Sequence, residues 1–182
     1  MDHFYQNIGE DWFTYSFFYK EILKINLDGA HFVEIGSWKG RSASFMAVEI
    51  HNSNKKIKFD CVDTWKGSVE HVNDPFVKED KLFEEFLKNI EPVKHIINPI
   101  RLPSLDACKL YEDASLDFVF IDASHEYEDV KEDIINWLPK VKSGGIIAGH
   151  DIACPDVKKA VLECLDNFSA IYECDIWFFK KL

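Results

Sequence analysis

The stretch Phe32-Val33-Glu34-Ile35-Gly36-Ser37-Trp38-Lys39-Gly40-Arg41-Ser42 constrains the fold more than any other part of the chain. An apolar run ends in an acid and a glycine. A short polar loop, a second glycine and a hydroxyl residue follow, and Ala43 to Ile50 then reads as a helix. A strand, a glycine turn and a helix start in this order mark the place where an open α/β sheet binds a nucleotide-like ligand. Glycine adopts positive φ at no steric cost and leaves room beside the backbone, and the helix start beyond it offers unpaired N–H groups. The spacing is G-x-x-x-G. Dinucleotide oxidoreductases use G-x-G-x-x-G, and Gly36-Ser37-Trp38 breaks that pattern, which argues against an NAD-dependent enzyme.

Elsewhere apolar runs alternate with amphipathic ones. Strands are predicted at His31 to Ile35, Ile57 to Val62, His95 to Leu102, Leu116 to Ile121 and Ile146 to Ala148. Helices are predicted at Ser42 to Ile50, Asp80 to Ile90, Leu105 to Tyr111, Val130 to Leu138 and Asp156 to Leu165. Pro99 marks the third strand as an edge, residues 64–80 read as a loop, and Ser143-Gly144-Gly145 reads as a turn. Ser169 to Tyr172 and Ile176 to Phe179 suit a terminal hairpin. The alternation implies a Rossmann-like, doubly wound, mainly parallel sheet of seven strands closed by a C-terminal antiparallel hairpin.

A length of 182 residues suits a single domain. Residues 4–25 carry many aromatics at helical spacing, for example Trp12, Tyr15, Tyr19 and Ile22. They read as a helix on the sheet edge, with a lid or a dimer surface as the functional alternative. A net charge of −11 argues against nucleic acid or an anionic membrane as partner. No run approaches the roughly 20 apolar residues of a membrane span. The N-terminal residues lack a signal-peptide pattern, so a cytoplasmic location is expected. The five cysteines are odd in number and include no C-x-x-C pair, which favours reduced thiols over a disulfide or zinc framework.

The predicted strands end in polar groups on one rim: Glu34 and Gly36, then Asp63, then Ser104, then Asp122 with His125, then His150 with Asp151. Asp63 suits a ribose diol, and Ser104 suits either an adenine contact or a helix cap. Asp122, His150 and Asp151 could bind a divalent cation, magnesium if the carboxylates dominate and manganese, iron or zinc if the imidazole does. His125 suits a further ligand or a general base. His71 and His95 are expected to be structural or solvent-exposed.

Four segments together resemble the class I S-adenosylmethionine-dependent methyltransferases, in the small-molecule O-methyltransferase branch that includes cephalosporin-hydroxylase-like and macrolide-sugar enzymes. They are residues 33–42, Val62-Asp63-Thr64-Trp65-Lys66-Gly67, residues 118–127 with Asp122 and His125, and Gly144-Gly145-Ile146-Ile147-Ala148-Gly149-His150-Asp151. The resemblance implies that Glu34, Gly36 and Gly40 shape the methionine pocket, that Asp63 holds the ribose hydroxyls, and that Ser37 and Thr64 also contact the cofactor. It places Trp65 and Ser104 near the adenine and Asp122 beside the cofactor. A metal, magnesium or another divalent cation, would use Asp122, His150 and Asp151, and His150 departs from the acid or amide usual there. The implied reaction is direct methyl transfer to a hydroxyl of a small molecule, such as a sugar, with His125 taking the proton. The pocket could be open or completed by a second copy of the chain. Two other readings compete: an iron hydroxylase using His125, His150 and an aspartate, and a cofactor-binding module without catalysis.

Overall fold

The structure, a computed structural model, describes residues 1–25 and 28–182. Seven strands, β1 (His31–Ile35), β2 (Lys58–Asp63), β3 (Ile97–Arg101), β4 (Leu116–Ile121), β5 (Val141–Gly149), β6 (Ser169–Ile171) and β7 (Ile176–Lys180), form one sheet. Their order is β3-β2-β1-β4-β5-β7-β6. The first five pair in parallel, and β7 runs antiparallel to both β5 and β6. The expected doubly wound sheet and its terminal hairpin are therefore present.

Alternation along the central strands explains the two layers. Phe32, Phe59, Cys61, Phe118 and Phe120 face one way, under α1 (Ser16–Lys24), α2 (Arg41–Ser53), the short α3 (Pro75–Lys78) and α4 (Leu82–Asn89). Val33, Ile35, Val62, Val119 and Ile121 face the other way, under α5 (Ser104–Ala107), α6 (Tyr127–Trp137) and α7 (Pro155–Cys164). Helices on both faces are what a parallel sheet needs to bury its backbone-rich strands.

Four local expectations change. The N-terminal helix starts only at Ser16, and Trp12 lies ahead of it, 53% exposed. That helix lies on the sheet face and not on its edge: the Phe18 ring contacts those of Phe118, Phe120 and Phe178. Ser143-Gly144-Gly145 belongs to β5, where the register shifts between Leu116 and Phe118. Gly144 takes φ +82° there, and its N–H donates to the Lys181 carbonyl at 2.7 Å. The loop 64–80 contains α3, started by Asp74, whose carboxylate accepts from the Phe76 N–H at 2.7 Å. All five cysteines are free. Among the described residues no helix is long and apolar enough to cross a membrane.

Candidate active site

The parallel strands end together, so the turns after β1, β2, β4 and β5 meet on one rim. Gly36 follows β1 with φ +87°, and a Cβ there would lie 1.9 Å from the Asp122 carbonyl oxygen. The missing side chain thus lets the end of β1 pass against the end of β4. Gly40, also at φ +87°, opens α2 with Phe86 and Ile90 at 3.0 Å from where its Cβ would be. Both glycines serve the turn and its packing in this structure. The space they leave is filled by protein.

Glu34 is 1% exposed, and its Oε2 accepts from the Tyr19 hydroxyl at 2.7 Å. Its Oε1 has no partner, nor do the buried Ser37 Oγ and Ser44 Oγ. Burial pushes its carboxyl up from 4.5 to about 7, against the hydrogen bond from Tyr19. Three orphaned polar atoms around a glycine turn fit a zwitterionic ligand such as the methionine part of S-adenosylmethionine, because each unmet group costs free energy until a partner arrives.

Asp63 holds the turn from the β2 side. Its Oδ2 accepts from the Trp38 N–H at 2.8 Å and its Oδ1 from the Trp65 N–H at 2.7 Å. The Thr64 and Ser37 backbone N–H groups also turn to this carboxylate. Burial raises this carboxyl, and the backbone donors oppose that shift. Thr64 accepts from the Lys66 N–H at 3.2 Å within its own turn.

Two adenine expectations are not met. Trp65 is fully buried, with its ring 4.7 Å from Phe83 and 4.6 Å from Phe86, and its Nε1 donates to the Trp38 carbonyl at 2.9 Å. Its φ of +51° turns the chain so that the indole enters the core. Ser104 begins α5 without capping it. Its hydroxyl donates to the buried Asp133 and accepts from Trp137 Nε1 at 2.8 Å, so it faces α6.

The remaining residues converge around Asp151. His125 Nε2 lies 2.8 Å from Asp151 Oδ2, and its Nδ1 lies 3.1 Å from Glu70 Oε1. His150 Nδ1 lies 3.2 Å from the same Asp151 oxygen and 3.6 Å from Asp122 Oδ1. The bond to Asp151 raises His125 to about 9 despite partial burial. Burial pulls His150 down, but Asp122 and Asp151 outweigh it and hold the ring at about 10. Burial would raise Asp151, yet its two imidazoles bring it well below the carboxylate range. At neutral pH both rings are therefore cations facing a shared anion. Donor atoms of Asp122, His125 and Asp151 lie within 4.8 Å of one another, as do those of His150, Asp151 and Asp175. The expected metal set of Asp122, His150 and Asp151 shares one cluster with His125: His150 Nδ1 faces both carboxylates while its Nε2 lies 3.1 Å from Thr14 Oγ1, and the donor atoms gathered around Asp122 within 4.8 Å are those of His125 and Asp151.

Sequence reading missed the groups that cover this rim. The Tyr15 hydroxyl donates to Asp122 Oδ2 at 2.7 Å. The rings of Trp12 and His71 pack against Trp38 in tilted contacts, at 6.2 and 4.3 Å between centroids. Lys39, its side chain 8% exposed, bridges Glu10 at 2.8 Å and Asp74 at 2.9 Å. The aromatic density of residues 4–25 was the visible signal, but which ring meets which carboxylate depends on the chain path.

This fold and this rim define a class I, S-adenosylmethionine-dependent methyltransferase domain. The chain belongs to the methyltransferase-domain family, which matches residues 33–152. The chain is 28% identical over 119 residues to "Uncharacterized protein y4gI" of Sinorhizobium fredii, a match covering 65% of this chain and 13% of that longer protein. Its fold is similar to that of the O-methyltransferase NovP, with a TM-score of 0.72 and 16% identity over 92% of this chain and 79% of that one. It is also similar to CalS11, a TDP-rhamnose 3'-O-methyltransferase of calicheamicin biosynthesis, with a TM-score of 0.63 and 13% identity over 93% and 78%. Fibrillarin from Aeropyrum pernix, solved with bound S-adenosylmethionine, gives 0.58 and 13% over 92% and 75%.

Proposed function

We propose that the protein transfers the methyl group of S-adenosylmethionine to a hydroxyl of a small molecule, with a sugar as the acceptor class. The observation that carries the reading is the meeting of a cofactor-type turn, with its orphaned Glu34, Ser37 and Ser44 atoms, and an imidazole–carboxylate cluster on one rim. The fold shared with NovP and CalS11 supports oxygen as the acceptor atom and, for CalS11, a sugar. Glu34 and Ser37 would hold the methionine part, with Gly36 and Gly40 shaping the turn that carries them, and Asp63 would hold the ribose.

The cofactor supplies an activated methyl on a good leaving group. The protein's task is to place the acceptor oxygen in line and to receive its proton. His125 is the proton acceptor in this reading, and Asp151 orients its ring and stabilises the imidazolium. Because Asp151 holds the ring protonated to about pH 9, turnover rises with pH up to that value. His125→Ala is expected to lower turnover by about 10²- to 10⁴-fold and to leave S-adenosylmethionine affinity unchanged. Full activity in that variant overturns the base assignment.

A second reading has its own observation, the three donors Asp122, His125 and Asp151 within 4.8 Å. A divalent cation fits that set and would lower the pKa of the acceptor hydroxyl. Chelator treatment followed by magnesium or manganese separates the two: loss and metal-specific recovery of activity favours the cation, and indifference to chelator favours the free His125. The role of a second copy of the chain in completing the pocket is proposed alongside, and light scattering of the active protein tests it.

A further inference from the structure

At the opposite end of the sheet from the rim, a cleft of about 720 Å³ opens between the starts of β1 and β2, the end of α2 and the segment before β3. Its floor is apolar: Ile50, Ile57 and Phe59 are buried there. Its walls are cationic. Lys56 and Lys58 line it and are exposed, and among the described residues neither ammonium has a carboxylate within 4.0 Å. The Lys56 backbone N–H is held by Asp28 Oδ1 at 2.9 Å.

The rings of His51 and His95 stand across the cleft's side, 6.1 Å apart and edge to face. Asp60 is the one carboxylate among the lining residues, and it is already satisfied. Its Oδ2 accepts from His31 Nε2 at 2.7 Å and from the Tyr111 hydroxyl at 2.7 Å, and its Oδ1 accepts from Asn98 at 2.9 Å. Lys55, also in the lining, turns away and donates to the Ile25 carbonyl at 3.0 Å.

We propose that this cleft binds a small phosphate-rich ligand of nucleotide size, at a site separate from the methyl-transfer rim. Its volume falls in the range of small-molecule pockets, about 300–1,000 Å³. Two unpaired ammonium groups supply charge for a polyphosphate, and the two imidazoles supply N–H donors and ring faces. A nucleic acid would want a basic stripe running over the surface, whereas Lys56 and Lys58 border one cleft of an acidic chain. The strand length, about 20 Å for six residues, separates the cleft from Gly36 and Asp122. The inference does not rest on the proposed methyl acceptor.

Calorimetric titration of the whole chain with tripolyphosphate and with ATP tests it, repeated on Lys56→Glu/Lys58→Glu and in the presence of S-adenosylhomocysteine. Both probes are expected to bind the native protein, and the double variant to bind each at least about tenfold more weakly. S-adenosylhomocysteine is expected not to displace them, and the variant is expected to keep its native circular dichroism and its S-adenosylmethionine affinity. Failure of both probes to bind, binding undiminished in the folded variant, or displacement by S-adenosylhomocysteine overturns the proposal. Single-stranded DNA binding more tightly than tripolyphosphate overturns the choice of a small ligand.

Discussion

Glu34 joins the core to the chemistry. It is a carboxyl set in an aromatic layer, with one oxygen held by Tyr19 and the other unmet. Burial raises it to about 7, so below that pH the ligand-free protein carries it protonated. A cationic ammonium beside it would favour the ionised form. Cofactor binding near pH 6 is therefore expected to release a proton, read as a dependence of the calorimetric enthalpy on buffer ionisation. Glu34→Gln abolishes that dependence. Gly36 has a different constraint. Alanine at φ +87° would press its Cβ into the Asp122 backbone, and Gly36→Ala is expected to cost more than about 3 kcal/mol in a denaturant titration. Trp65 reports on the adenine question. Trp65→Ala is expected to cost about 3–5 kcal/mol through the cavity it leaves, while Trp65→Phe leaves cofactor affinity unchanged.

At the scale of elements, the N-terminal strap and the loop after β2 are both fastened to the glycine turn through Lys39. Glu10 on one side and Asp74 on the other share its ammonium, and the rings of Trp12, Trp38 and His71 pack as a three-membered cluster. Removing one partner of a buried ionic cluster leaves the others uncompensated. Lys39→Met is therefore expected to raise amide exchange in residues 10–15 and 69–78 together, with β1 and β4 unchanged. Exchange rising in only one of these segments would mean that Lys39 does not couple them. The strands and most helices could be read from apolar periodicity, since each central strand has both faces buried. The helix start at Ser16 and the bulged β5 could not. Trp12 has the residue type of a core stripe but lies where the chain bends over the rim. Gly144 looks like a turn residue until Lys181, just past the end of β7, supplies a partner for its N–H.

For the whole molecule, titration should set the pH dependence of stability. Glu34 rises from 4.5 to about 7 and Asp133 from 3.8 to about 7, both mainly through burial. A carboxyl with a raised folded pKa leaves the folded state binding more protons than the unfolded one, so stability falls as pH climbs from about 4 to 7. His125, raised to about 9 by Asp151, and His150, raised to about 10 against its burial, contribute stability that is full below 6.5 and lost as pH rises through those values. The melting temperature of the ligand-free protein is expected to decline steadily from pH 5 to 9. Asp133→Asn flattens the part of that decline below pH 7.

Periodicity along the chain determined the fold class of this protein, and the resemblance of four short segments pointed to its family. Alternating apolar runs allow only a sheet wound on both faces, and a glycine turn after the first strand fixes where a ligand can approach. These are local properties, carried by residues adjacent in the chain. Tertiary structure alone decided which way Trp65 and Ser104 point, that Asp151 draws His125 and His150 together, and that Tyr15 reaches Asp122. Those outcomes depend on where distant turns land relative to one another, to within an ångström or two. Residue type sets what a side chain can do, and the packed chain path sets which partner is near enough for it to act.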